Sequence, residues 1–191
     1  MIPLAQINQL AAEDFAAALS SLFERSPWVP ERVAALRPFD TAIALHGALC
    51  RAVLEADEAS QLALIRAHPE LAGTAASRGD LTSASRSEQK GAGLSSCTAA
   101  QTHRLRTLNG TYHQRFGFPF VLAVRGHTPD SVIATLARRV THEVAEERQV
   151  ALGEIFRIAR FRLIDLLGEP SDSETDAMAD NPAGHPHSPR T

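Results

Sequence analysis

Phe118-Pro119-Phe120-Val121-Leu122-Ala123-Val124 is the stretch on which the fold class turns. A continuous apolar run of this length fits a buried strand or a buried extended segment, and periodicity alone does not separate them. A strand needs a neighbour to take its backbone N–H and C=O groups. No other segment offers one, so extended backbone packed among helices is expected. The predicted fold class is all-α, an irregular bundle of about seven or eight helices.

Helical spacing dominates on both sides of this run. Upstream, Leu105, Leu108, Tyr112 and Phe116 mark the buried face of a helix over 98–116, with Gly117 as its stop. Downstream, Thr128-Pro129 is a suitable N-cap and first helical residue, and Ile133, Leu136 and Val140 continue that helix. A last helix over 143–167 carries the apolar arc Ala151, Leu152, Ile155, Phe156, Ile158, Ala159 and Leu163. Arg162 and Arg148 project within this arc, while Arg157 and Arg160 fall outside it.

Nearer the N-terminus, Phe15, Leu19, Leu22 and Phe23 share one helix face, and Pro27-Trp28-Val29-Pro30 breaks that helix. Asp40 is the expected N-cap of a helix with Leu45, Leu49, Ala52, Val53 and Ala56 on its apolar stripe. Another helix runs over 58–67 and is stopped with the help of Pro69. Residues 69–83 are polar and contain Gly73 and Gly79, a long loop of the kind that usually has a functional reason. Ser85-Arg86-Ser87-Glu88 then fits a capping box opening a short helix. After Gly168 the chain turns to Pro, Ser, Asp, Glu and Ala, so 1–168 is expected as a single domain and 169–191 as a disordered tail.

Composition narrows the class. Of 191 residues, 44% are hydrophobic and 21% charged, enough apolar surface for a core without disulfide or metal staples. The net charge of −3 carries no nucleic-acid footprint. Cys50 and Cys97 form no CxxC pair. No apolar run approaches the roughly 20 residues that span a membrane, and the N-terminus has no signal-peptide pattern. A soluble cytoplasmic protein is expected, with no nucleic-acid or membrane partner.

Chemistry concentrates in two places. His68-Pro69 places a side chain that titrates near neutrality at a helix end. Ser85-Arg86-Ser87-Glu88-Gln89 adds a hydroxyl, a carboxylate and an amide. Each has a plain structural reading, His68 as a C-terminal cap and Glu88 as the third residue of a capping box. Arg162 either snorkels outward or grips a carboxylate or phosphate with its planar fork, and Arg148 is a rival for that role. Phe116-Gly117-Phe118-Pro119-Phe120 reads as core packing or as a shaped wall. His103 and His113 are too far apart on one helix to share a metal, and His142-Glu143 lacks the second histidine of a zinc-protease motif. No metal site and no phosphate-binding glycine loop is expected.

Taken in order, several pieces resemble the 2-oxo-4-hydroxy-4-carboxy-5-ureidoimidazoline (OHCU) decarboxylase family of urate catabolism. They are Glu24-Arg25-Ser26-Pro27-Trp28-Val29, Arg37-Pro38-Phe39, His68-Pro69-Glu70-Leu71-Ala72-Gly73, Ser85-Arg86-Ser87-Glu88-Gln89, Ala92-Gly93-Leu94, Phe116-Gly117-Phe118-Pro119-Phe120 and Arg162-Leu163. His142 stands where the family is expected to have asparagine. The resemblance implies an all-α homodimer that uses no cofactor and yields (S)-allantoin from an anionic small-molecule substrate. It implies His68 and Glu88 as the catalytic pair. It also implies substrate contacts from Pro69, Ser85, Arg86, Ser87, Glu88, Gln89, Phe120, Val121, Leu122, Ala123 and Val124, with Arg162 holding an anionic group. On that chemistry Glu88 and Ser85 orient or deprotonate the substrate hydroxyl while His68 supplies or relays the proton. Two other readings compete: a non-catalytic helical interaction module in which His68 and Glu88 only cap helices, and a metal-dependent hydrolase, for which no complete ligand set is present.

Overall fold

A computed structural model describes residues 1–73 and 81–168. The expected tail, 169–191, and part of the expected 69–83 loop lie outside the described residues. Among the described residues there is no strand, and the elements are nine α-helices and two 3₁₀ turns, so the all-α expectation is borne out. The helices are α1 (Leu4–Gln9), α2 (Ala12–Ala18), α3 (Trp28–Val33), α4 (Ala42–Leu54), α5 (Glu58–Ala67), α6 (Ser83–Gly91), α7 (Ala99–Phe116), α8 (Pro129–Arg139) and α9 (Val144–Leu167). The long α9 packs against α4, α5 and α7, and α8 packs along α7. No helix among the described residues is long and apolar enough to cross a membrane.

The decisive segment runs extended through this bundle, with Phe118 and Val121 buried. Side chains take the place of the missing neighbouring strand. Arg139 Nη1 donates to the Val121 carbonyl at 2.8 Å, and the Ala123 N–H donates to Glu154 Oε2 at 2.8 Å. Tyr112 stands among Phe116, Phe118 and Phe120 at ring-centroid distances of 4.6, 6.0 and 5.4 Å. The Arg139 guanidinium lies 4.7 Å from the Phe120 ring centroid. Arg139 is buried, and its charge is met by the fully buried Glu147. The Glu147 carboxylate also accepts from the Tyr112 hydroxyl and sits 2.7 Å from His142 Nδ1. A cation buried this deeply is tolerable only with such pairing. His142 thereby belongs to the support of the 118–124 segment.

Local chemistry sets the helix ends. Thr98 and Gln101 form a capping box at α7, and Thr128, Ser131 and Pro129 open α8 as expected. Gly117 and Gly168 end α7 and α9 at φ 71° and 73°, where a side chain is strained. Two expectations are corrected. Thr41, not Asp40, caps α4, because its hydroxyl accepts the Ala44 N–H. The first long helix stops at Ala18, well before the proline cluster, where the Ser20 hydroxyl donates to the Ala17 carbonyl and competes with helical bonding. Leu19, Leu22 and Phe23 still enter the core, carried by the irregular turn that leads to α3. That turn also carries Glu24 inward.

Candidate functional site

His68 ends α5 because Pro69 disfavours helical backbone at the residue before it, and His68 is extended at φ −74°, ψ 138°. Its ring turns inward and is 5% exposed. Nδ1 lies 2.9 Å from the Leu64 carbonyl. A carbonyl only accepts, so Nδ1 carries the hydrogen, and in the neutral ring Nε2 is a bare acceptor. Nε2 is buried and has no partner. Burial lowers the His68 pKa below its ordinary value; the Leu64 carbonyl and Glu24 oppose this, Arg162 reinforces it, and Glu88 opposes it. The ring is therefore neutral at pH 7.

Ser85 does not cap α6. Thr82 does, accepting the Ser85 N–H at 3.2 Å, so the helix begins earlier than the Ser-x-x-Glu spacing suggests. Ser85, Glu88 and Gln89 consequently fall on one face inside the helix, at i, i+3 and i+4. Gln89 Oε1 accepts the Ala72 N–H at 3.1 Å, which pins the turn after His68. This fixes the orientation of the amide, and its Nε2 is buried without a partner. Asn109 Nδ2 holds the same turn through the Leu71 carbonyl at 3.0 Å.

Arg162 is buried on α9, the inward one of the two directions that its place in the apolar arc left open. Its Nε donates to Glu88 Oε1 at 2.7 Å and its Nη2 to Glu88 Oε2 at 2.8 Å, a two-point grip. Nη2 also reaches Glu24 Oε1 at 3.0 Å and Ser85 Oγ at 3.2 Å, and Nη1 donates to the Ser21 carbonyl at 2.9 Å. The fork expected to hold an external anion is thus filled by Glu88. Arg148 takes no part in this cluster and pairs with Glu58.

Glu24 completes the cluster and is the member that the sequence did not single out. It accepts the Ser85 hydroxyl at 2.5 Å and the Thr82 hydroxyl at 2.9 Å. Burial pushes its carboxyl up, but Ser85, Arg162 and Thr82 outweigh burial and hold it below the ordinary value. The Ser85 proton points at Glu24, so toward a ligand Ser85 can only accept. It is not placed to act as a base.

His68, Pro69, Ser85, Glu88, Gln89, Val121, Leu122, Val124 and Arg162 line one cavity of about 20 Å³, joined by Leu71 and Ile158, which sequence reasoning did not name as site residues. The remaining expected contacts lie elsewhere. Arg86 is on the exposed face of α6 and donates to the Leu81 carbonyl at 3.3 Å. Ser87 lines an open cleft of about 540 Å³ with Arg125 and Asp165; this cleft shares only Glu88 and Arg162 with the cavity. Phe120 lies under Arg139, and Ala123 is bonded to Glu154. The cavity offers a bare imidazole nitrogen, an unpaired amide N–H, an arginine-held carboxylate and an apolar wall.

The fold and the cavity define the chain as an all-α bundle that holds a buried histidine and an arginine-held carboxylate in one pocket. Comparison with known proteins narrows that class: the OHCU decarboxylase family matches residues 8–164, and the chain belongs to this family. It is 42% identical over 164 residues to a 2-oxo-4-hydroxy-4-carboxy-5-ureidoimidazoline decarboxylase of Haloferax volcanii, covering 86% of this chain and 95% of the relative. An Amia calva protein of the same name is 37% identical over 166 residues, covering 87% and 95%. The uric acid degradation bifunctional protein PucL of Bacillus subtilis is 40% identical over 174 residues, which are 91% of this chain and 34% of PucL. Among solved structures, an (S)-allantoin synthase superposes with a TM-score of 0.71 at 28% identity, over 87% of this chain and 54% of that one. An OHCU decarboxylase crystallised in the presence of (S)-allantoin superposes at 0.65 and 20% identity, over 78% and 96%, which shows the fold alone.

Proposed function

We propose that the chain decarboxylates OHCU to (S)-allantoin in urate breakdown, as a carboxy-lyase that uses no cofactor. The observation that carries this reading is the pair of unsatisfied groups in one cavity, His68 Nε2 and Gln89 Nε2, beside Glu88 held by Arg162. One accepts a hydrogen bond and the other donates, which suits a substrate hydroxyl next to a carboxylate or carbonyl oxygen.

The substrate carries its carboxylate and hydroxyl on one ring carbon, next to a carbon–nitrogen double bond. When carbon dioxide leaves, its bonding electron pair moves to form a carbon–carbon double bond, and the double bond's pair moves to nitrogen, which takes a proton. The hydroxyl then loses its proton to become a carbonyl, and the neighbouring carbon gains one. Two protons are gained and one is lost, so each turnover consumes one proton. In this scheme His68 Nε2 takes the hydroxyl proton. The imidazolium so formed faces Glu24 and Glu88 and returns a proton to one face of the ring. Positioned proton transfer of this kind is worth about 10²–10⁴-fold.

Arg162 keeps Glu88 oriented, the Gln89 amide marks the oxygen side, and Val121, Leu122 and Val124 exclude water. Pockets that enclose small organic ligands span about 300–1,000 Å³, so binding widens this cavity beyond its present volume of about 20 Å³. A homodimer belongs to the same reading on the family resemblance, and sedimentation of the full chain tests it. The activity test is to supply freshly made urate-oxidation product and follow circular dichroism. Dichroism of (S)-allantoin growing faster than the spontaneous reaction is expected. A rate equal to the spontaneous one favours the helical interaction module instead.

A further inference from the structure

We propose that Glu24 is a positioning residue for this reaction: from the turn between α2 and α3 its buried carboxylate clamps Ser85 and Arg162 and supplies the negative charge against which His68 exchanges its proton. The inference rests on the activity proposed above and adds a residue to it. The geometry is a single oxygen with three donors. Glu24 Oε1 accepts from Ser85 Oγ at 2.5 Å, Thr82 Oγ1 at 2.9 Å and Arg162 Nη2 at 3.0 Å. An amide oxygen can accept the same hydrogen bonds, so geometry alone does not require a carboxylate here.

Charge does. Glu88 and Arg162 alone form a neutral pair, and a protonated His68 beside them leaves a buried site with one net positive charge. With Glu24 present the resting cluster is net negative by one, and protonating His68 brings it to zero. A buried cation is tolerated when paired and costly when not. The second carboxylate therefore makes the imidazolium reachable in a ring that burial otherwise holds neutral. The groups facing His68 are Glu24 from the α2–α3 turn, Glu88 from α6 and Arg162 from α9, with the Leu64 carbonyl on its own helix. The 118–124 segment contributes only Val121, Leu122 and Val124 to the same cavity, none of which titrates.

The experiment measures kcat/KM against pH for the full chain, Glu24→Gln and Glu24→Asp, with thermal melts to confirm folding. Losing the charge of Glu24 moves the limb governed by His68 to lower pH by about one unit, the low end of what an adjacent opposite charge produces. Glu24→Asp keeps the charge and holds the limb near its wild-type position, even if its amplitude falls. A limb that stays in place in Glu24→Gln, or that moves as far in Glu24→Asp, overturns the proposal and leaves Glu24 a clamp only. If the unaltered chain does not accelerate (S)-allantoin formation, the activity reading fails by itself. The His68 protonation midpoint, followed by NMR in the unaltered chain and Glu24→Gln, then decides this inference separately. A lower midpoint in the variant supports it, and an unchanged one overturns it. Should Glu24→Gln not fold, Glu24→Asn compared with Glu24→Asp carries the test: a limb at lower pH in the Asn variant alone supports the charge role, and equal positions in the two contradict it.

Discussion

Replacing Arg162 with methionine keeps an unbranched apolar stem but removes the guanidinium, the one cation that two carboxylates share. The side chains of Arg162, Glu24 and Glu88 are 7%, 3% and 24% exposed, so little water is at hand to take over. Removing one partner of a buried ion pair costs about 3–5 kcal/mol, because the other partner stays buried and uncompensated. Glu88 has some access to water and Glu24 almost none, which puts the expected loss near the lower end, about 3 kcal/mol. For a chain of this size that corresponds to a fall of about 6–12 °C in Tm. Arg162→Lys keeps the charge but offers three donors where arginine makes five hydrogen bonds, so its loss is smaller. Arg162→Met combined with Glu24→Gln recovers part of the loss, since one uncompensated charge goes with it. Urea unfolding followed by far-ultraviolet dichroism at pH 7 measures all three. An Arg162→Met variant within about 1 kcal/mol of the unaltered chain refutes the reasoning, because that is the behaviour of a solvent-exposed pair.

Glu88→Gln keeps side-chain size and one acceptor for Arg162, which still has Glu24; turnover is expected to fall by about 10²–10⁴-fold, and a variant that loses stability but not turnover shows Glu88 to be structural. Stability is expected to fall on mild acidification. Burial is the largest cause lowering His46 and His68 below their ordinary 6.5, so the unfolded chain protonates first. Their contribution is complete above about pH 6.5 and is lost as pH falls through the depressed folded values; Glu24 adds a loss of the same sign at lower pH. A Tm that rises from pH 7 to pH 5 contradicts this. Arg139→Met strips the buried Glu147 of its cation and the Val121 carbonyl of its donor, and is expected to cost about 3–5 kcal/mol by urea unfolding; a near-neutral effect contradicts the role given to Arg139 in place of a neighbouring strand.

The parts of the fold legible in the sequence are those fixed by neighbours along the chain. α5 follows from its apolar pattern and Pro69, α7 from Thr98 and Gly117, and α8 from Thr128-Pro129. The extended 118–124 segment was legible by elimination, since nothing could pair with it. The residues replacing its partner were not: Arg139 and Glu147 look like ordinary surface charges on helices until the helices cross. The helical arc left Arg162 free to snorkel outward or turn inward, and its inward pairing with Glu88 and Glu24 depends on three separated segments meeting. Glu24 lies in an irregular turn where no periodicity marks a face, so only its presence in a family-like stretch pointed to it. The Ser85–Glu88 spacing misled because Thr82, just upstream, is the better placed cap. The roles of His68 and Glu88 came from resemblance, and the structure adds which nitrogen of His68 is bare and which way the Ser85 proton points.

His68→Asn isolates the central claim. The asparagine amide N–H can occupy the place of Nδ1–H on the Leu64 carbonyl, so the turn is kept, while the bare Nε2 is lost. The measurement is the initial rate at which freshly generated OHCU becomes (S)-allantoin, read by circular dichroism, for the unaltered chain and the variant at equal concentration. The expected result is a rate well above the spontaneous reaction for the former, and a rate at or near it for a folded His68→Asn. A folded His68→Asn that produces (S)-allantoin as fast as the unaltered chain contradicts the account.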